Sequence, residues 1–287
     1  MRRPFLVLTR RITRPFSAEF LPPWREVRRT LRTQAGAQTE SDALAVEEPL
    51  EIRVRGTPVA VFMRTPGRER DLIAGFLASE SIIEHSEDLL AVEPCRDAYQ
   101  GQPEPHIWNA ALADGVAFDP RPRRFGTVGS SCGLCGVQSL DDLEKKIPEI
   151  PKWKMPESLQ VSVLLQTFEA MQSRQTLFQK TAAVHAAALW SETDGLLDLA
   201  EDVGRHNAVD KVLGACLRGG LYPLEVPRAL LVSGRISFEI MQKAAMAGIA
   251  LVAGISAPTS LAVDIARKTG MTLFGMVRDQ RLNQYSG

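Results

Sequence analysis

A chain of 287 residues, 45% hydrophobic and 24% charged, has enough apolar material for a sizeable core, in one large domain or two joined closely. Lysine plus arginine and aspartate plus glutamate both number 34, so no global positive field recruits nucleic acid or an anionic membrane, and any anion site must be local. Cys95, Cys132, Cys135 and Cys216 are too few for a secreted disulfide framework and fit a reducing compartment, while apolar runs such as 249–253 fall far short of the ~20 residues of a membrane span. The expectation is a cytoplasmic protein with neither nucleic acid nor membrane as partner.

Residues 1–38 hold nine arginines, no lysine and only Glu19 and Glu26 as acids. This resembles a transit peptide in composition, and Arg2-Arg3 echoes a twin-arginine signal, but the apolar stretch 5–8 is shorter than an export signal needs. The expectation over 1–46 is a flexible basic arm. From Pro49 the pattern changes. Leu50, Ile52 and Val54 alternate with charged residues, and after Gly56-Thr57-Pro58 the alternation resumes at Val59, Val61 and Met63, which predicts a half-buried β-hairpin. Leu72, Ile73, Phe76 and Leu77 predict an amphipathic helix ending near Ile83. A polar loop over 97–105, an apolar stretch over 107–118 and the breaker 119–124 lead to a cysteine segment at 127–136. Val137, Leu140 and Leu143 predict a short helix after it, and Pro148, Pro151 and Pro156 a stiff linker, placing a boundary near residue 150 between regions 47–150 and 151–287.

Leu164, Phe168 and Met171 lie on one face of a helix predicted over 159–174. The last third is the most regular: strands at 196–200, 229–232 and 249–253 each lead through a loop into a helix, at 207–217, 238–247 and 260–268, and Gly270 closes the last helix before a strand at 271–277. Such alternation predicts an α/β layer of parallel or mixed strands. In a layer of that kind, ligands collect outside the carboxyl ends of the strands. The loops expected there are Glu201-Asp-Val-Gly-Arg-His-Asn207, Ser233-Gly-Arg-Ile-Ser237, Ser256-Ala-Pro-Thr-Ser260 and Arg278-Asp-Gln-Arg-Leu-Asn283. Small residues admit a phosphate to backbone N–H groups, helix N-termini add partial positive charge, and Arg205, Arg235, Arg278 and Arg281 add guanidinium forks. A nucleotide or dinucleotide ligand follows, with Asp202, Asn207 and Asn283 as partners for base or ribose. Glu201 and Asp202 can equally be helix-terminal charges. His206, beside Arg205, is a candidate contact, whereas His185, inside the apolar run 182–189, fits a core histidine as well as a site.

Ser130-Ser-Cys-Gly-Leu-Cys-Gly136 is the sharpest local motif. A thiol at a helix start is stabilised as thiolate, which makes Cys132 a nucleophile candidate. Half a zinc site, a redox dithiol and a persulfide carrier all use such a pair. Cys216 shares a helical face with Val209 and Leu213 and is expected in the core, and Cys95 carries no pattern.

These residues resemble the formate dehydrogenase accessory sulfurtransferase family, the FdhD-type proteins. The resemblance runs from Glu47 to Tyr285 through Glu47-Glu-Pro-Leu-Glu-Ile-Arg-Val54, Met63-Arg-Thr-Pro-Gly67, Ala74-Gly-Phe-Leu77, Ser130-Ser-Cys-Gly-Leu-Cys-Gly136, His185-Ala-Ala-Ala-Leu189, Glu201-Asp-Val-Gly-Arg-His-Asn-Ala-Val-Asp-Lys211, Ser233-Gly-Arg235 and Lys243-Ala-Ala-Met-Ala-Gly248. It implies an α/β (α+β) fold with a cytidine deaminase-like three-layer core, a smaller N-terminal β-rich subdomain, no catalytic zinc, and a homodimer. It implies that Cys132 carries a persulfide loaded by a cysteine desulfurase, with Cys135 as its partner. The sulfur then goes to the molybdenum bis(molybdopterin guanine dinucleotide) cofactor of the formate dehydrogenase catalytic subunit. On this reading the cofactor-binding residues are Met276, Val277, Arg278, Asp279, Gln280, Arg281 and Asn283 in the tail, with Gly204, Arg205, His206, Asn207, Ser233, Gly234, Arg235, Ser256 and His185. The chain departs from the family at Ala182-Ala183, where a glycine-bearing turn is more usual before the histidine, and in its Arg-rich leader.

Overall fold

The computed structural model describes residues 22–96, 103–119, 161–224 and 228–287. The cysteine segment, the helix expected after it and the proline linker lie outside the described residues. The chain is first described as a ribbon: β1 (Trp24–Thr33) pairs antiparallel with β2 (Gly36–Ala45). The expectation of a flexible arm therefore does not hold over these strands. Ten paired positions set their register, Arg29 reaches Glu40 at 2.8 Å and Asp42 at 3.1 Å across the strands, and Lys180 sits over the Trp24 ring. Cross-strand pairs of this kind are not visible as a periodicity along one strand.

β3 (Glu48–Val54) and β4 (Thr57–Arg64) form the expected hairpin, with Leu50, Ile52 and Val54 buried. On β4 the phase is the reverse of the expected one: Ala60, Phe62 and Arg64 are buried, and Val59, Val61 and Met63 only partly so. Every residue from Pro58 to Met63 is apolar, so alternation cannot choose a face, and Phe62 decides it by packing edge-on against Phe76 with ring centroids 4.9 Å apart. α1 (Glu69–Ser79) follows, ends before Ile83, and is buried almost all round rather than amphipathic. After a single 3-10 turn come β5 (Leu89–Arg96) and β6 (Pro103–Leu112), and the four strands lie in the order β4-β3-β6-β5.

α2 (Val161–Ser173) and the short α3 (Thr176–Thr181) lead into β7 (His185–Ser191), β8 (Gly195–Asp202) and α4 (Arg205–Arg218). Then come β9 (Ala229–Val232), α5 (Phe238–Met246), β10 (Leu251–Gly254), α6 (Ser260–Thr269), β11 (Thr272–Arg278) and β12 (Arg281–Ser286), with Gly270 closing α6 at φ 73°. One sheet takes them in the order β12-β11-β10-β9-β7-β8, in which β9, β10 and β11 are parallel and β7, β8 and β12 antiparallel to their neighbours. One face of this sheet contributes Ala187, Leu189, Leu230, Val232, Val252 and Leu273 to a core shared with α1, α4, α5, α6 and the four-stranded sheet. The opposite face packs Ala186, Trp190, Leu231, Ala253 and Phe274 on Leu164, Phe168 and Met171 of α2. Helices on both sides of one sheet make the expected three-layer α/β core.

α1 is held against α4 at close range. A Cβ on Gly75 would overlap the Asp210 carbonyl, and one on Gly214 the Asp71 carbonyl. The same contact carries buried charge: Lys243 of α5 reaches both Asp210 carboxylate oxygens at 2.7 and 2.9 Å, and Ser79 of α1 donates to one of them at 2.8 Å. A single core therefore crosses residues from both regions that the proline linker separates in sequence.

Candidate functional site

β7 runs antiparallel to β9, so its first residue, His185, and the last residue of β8, Asp202, lie at the same edge as the carboxyl ends of β9, β10 and β11. The loops expected at a strand-end rim are thus brought to one rim. They are laced together by backbone hydrogen bonds: Ser233 N to Ala186 O at 2.9 Å, Ile255 N to Val232 O at 3.2 Å, Ile236 N to Ala257 O at 3.3 Å, and Met276 N to Ser256 O at 3.2 Å. The Ser233 hydroxyl oxygen also accepts from Ala186 N at 2.8 Å, which pins its loop to β7.

Helix N-termini differ sharply along this rim. Thr259 caps α6 by accepting from Ala262 N, and Glu201 caps α3 from a distance by accepting from Leu177 N at 3.0 Å and Phe178 N at 2.8 Å. Glu201 is thus a helix-terminal charge, but for α3 rather than for the helix that follows it. α4 begins at Gly204 with no side-chain cap and no acid in its first turn, although the Gly204 N–H donates to the Asp202 carboxylate at 2.8 Å. Arg205 stands there with its Nε buried and without a hydrogen-bond partner. Burial, then the neighbouring Arg235, lower the Arg205 pKa, with Glu239 opposing them. His185 is also pushed below its usual pKa, first by burial and then by Arg205, Arg235 and His206. Gly234 lets the loop close on this imidazole, since a Cβ there would stand 3.3 Å from His185 Nδ1. Arg205 and Arg235 beside a half-buried imidazole make this rim a candidate anion site in electrostatic terms.

His206 bridges two helices, with Nε2 at 2.7 Å from Glu239 Oε2 and 3.1 Å from Ser237 Oγ, both at the start of α5. Glu239 is the rim residue that sequence reasoning missed. Its signal was an acid in the first turn of a predicted helix, which is common enough to pass unmarked.

Three expected contacts turn inward instead. Asn207 is 5% exposed, and its amide donates to Asp202 at 2.9 Å and to the Met63 carbonyl at 2.9 Å. Asp202, fully buried, is paired with Lys211 at 2.7 Å and accepts from Gly204 N and Thr65 N. Val277 packs its side chain in the core under α2. Asp202 and Asn207 are therefore struts that tie the 63–67 segment to the rim, not groups held out to a base or ribose. The tail is a hairpin rather than an open loop. Asp279 and Gln280 both adopt positive φ, 53° and 59°, between the paired Arg278 and Arg281, as a two-residue hairpin turn of the primed type requires. Met276, at φ 56°, sits in the β-bulge that re-aims the end of β11. Arg278, Arg281 and Asn283 are exposed, and Asn283 lies 3.4 Å from the Tyr285 hydroxyl.

Cys132 and Cys135 lie outside the described residues. Cys216 is buried, as expected, and burial pushes its thiol up to about 12, which makes it inert near neutral pH. Cys95 is partly exposed on β5. Among the described residues no group of histidine, cysteine or acid side chains is arranged to hold a metal ion, and no helix is long and apolar enough to cross a membrane.

A three-layer α/β protein with a cationic strand-end rim is the class that fold and site define. The model of the FdhD/NarQ family matches residues 45–287, and the chain belongs to that family. It is 42% identical over 269 residues to a protein of Streptomyces avermitilis named "Sulfur carrier protein FdhD", covering 91% of this chain and 94% of that one. A protein of the same name from Anaeromyxobacter dehalogenans is 44% identical over 268 residues, covering 90% and 91%. The fold also matches the crystal structure of a candidate formate dehydrogenase accessory protein from Desulfotalea psychrophila, with a TM-score of 0.71 and 23% identity over 93% of this chain and 98% of that one.

Proposed function

We propose that this protein is a cytoplasmic sulfur carrier serving formate dehydrogenase, in which Cys132 accepts sulfane sulfur from a cysteine desulfurase as a persulfide. In this reading the sulfur passes on to the molybdenum bis(molybdopterin guanine dinucleotide) cofactor as substrate. A phosphate-bearing end of that cofactor rests on the rim formed by the α4 N-terminus, Arg205, Arg235 and His185, with the 276–283 hairpin beside it. The observation that carries the reading is the uncapped, acid-free start of α4 next to a buried, unpartnered Arg205 Nε, in a chain whose relatives are named sulfur carriers. Exposed Arg278 and Arg281 extend the positive charge toward the second end of a long ligand. An accessible thiolate is the chemistry a transferable sulfur needs; buried Cys216 cannot provide it, which leaves the Cys132–Cys135 pair of the Ser130–Gly136 motif as the candidate. Cys135 is the partner thiol of Cys132 in this reading, and the working unit is a homodimer.

Cyanide-releasable sulfur, assayed after incubation with cysteine and a cysteine desulfurase, tests the carrier residue. Wild type is expected to load and Cys132→Ala to remain empty; equal loading removes Cys132 from the role. A carrier-independent cofactor chaperone would instead activate formate dehydrogenase equally well with Cys132→Ala.

A further inference from the structure

His185 opens β7 in a setting where most of its charged neighbours are cations. Arg205 and His206 approach from the first turn of α4, and Arg235 from the loop after β9. On β8, Asp202 is its direct strand partner, but that carboxylate is already taken up by Lys211 at 2.7 Å, by Asn207 and by backbone N–H groups. From α5, Glu239 engages His206 at 2.7 Å and acts on Arg205. The ring is only partly buried and lies against Gly234, where a Cβ would stand 3.3 Å from its Nδ1 and 3.7 Å from the Arg205 Cβ, so the imidazole and Arg205 flank the same glycine of the loop that carries Arg235. Burial, and then Arg205, Arg235 and His206, lower the pKa of this imidazole, with Asp202 opposing them, and so favour its neutral form while the rim is free of anions. An anion lying on Arg205 and Arg235 would cancel the field that opposes protonation and attract the imidazolium directly.

We propose that His185 takes up a proton from solvent when a phosphate-bearing ligand settles on the rim, so that ligand binding and protonation of this ring favour each other. The proposal rests on the rim reading given above and adds to it a proton that travels with the ligand. One ring nitrogen gains a hydrogen, and no bond in the ligand breaks. By linkage, affinity then rises as pH falls through the interval between the depressed pKa of the free state and the higher one of the bound state, by at most about tenfold per pH unit for one proton. A ligand acquired this way is released more readily as pH rises or as its charge is transferred elsewhere.

GDP is the probe. Calorimetric titration near pH ~6.5 in two buffers of different ionisation enthalpy counts the protons exchanged, and the same count for His185→Gln supplies GDP's own contribution. Wild type is expected to take up more protons than His185→Gln, by up to about one per site. Equal counts with binding retained overturn the proposal. If His185→Gln binds too weakly to count, the ring resonances of His185 in wild type decide: their titration midpoint must move up on adding GDP, and an unmoved midpoint ends the idea. Absence of GDP binding by wild type from about pH 5.5 to 8 would instead remove the rim reading itself, and this proposal with it.

Discussion

On α4, Asp210 of the interior contact lies four residues after His206 of the rim, yet the charges around the two are handled in opposite ways. Inside, Asp210 meets Lys243 and Ser79, and Asp202 meets Lys211, Asn207 and backbone N–H groups, so each buried acid has a cation and hydrogen bonds around it. At the rim, Arg205 keeps an unpartnered Nε, α4 starts without a cap, and His185 is crowded by cations. Paired charge in the interior holds the frame; on the proposed reading, the open charge at the edge is met by a phosphate-bearing ligand. The two sets should therefore respond to mutation in different currencies, stability for the first and ligand affinity for the second.

Breaking the interior set should have the largest effect. Asp210→Ala leaves Lys243 charged and buried at the α1–α4–α5 junction, and a loss of about 3–5 kcal/mol is expected in urea unfolding. Gly75→Ala forces a methyl into the Asp210 carbonyl and should cost about 1–3 kcal/mol by the same measurement. If either variant unfolds like wild type, the interior charges and the close helix contact do not hold the frame. Arg235→Ala belongs to the other set. It should leave the unfolding midpoint nearly unchanged but weaken GDP binding roughly tenfold or more, the weight of a lost charge-assisted hydrogen bond, with a reduced salt dependence. An Arg235→Ala protein that lost stability rather than affinity would erase the difference between interior and rim charges. The smallest change is at Ala182, which adopts φ 52° at the end of α3. A left-handed conformation disfavours alanine, so Ala182→Gly should raise stability by roughly 0.5–1 kcal/mol, read as a small upward shift in thermal midpoint.

Much of the frame was legible in the residues. Loops and caps of the C-terminal third were marked by glycines and by strand runs with nothing but apolar residues, so β9 fell at 229–232 as expected. The rim followed from the same pattern, because loops after parallel strands must gather at one edge. What remained hidden depended on partners far along the chain. Nothing local distinguishes Asn207, which turns inward to Met63, from its neighbours Arg205 and His206 at the rim. The ribbon of β1 and β2 shows only in its cross-strand pairing, and β7 was only an apolar run until its pairing with β8 and β9 put His185 at the strand ends.

Residue order alone determined that this chain builds a mixed α/β layer with small and basic residues in its strand-end loops, and that Cys216 is core, because periodicity and turn chemistry are properties of neighbours in sequence. Tertiary structure decided which charges are spent inside and which stay open. That choice is made by desolvation and by contacts between residues more than a hundred positions apart, as between Thr65 and Asp202, and no local pattern records it.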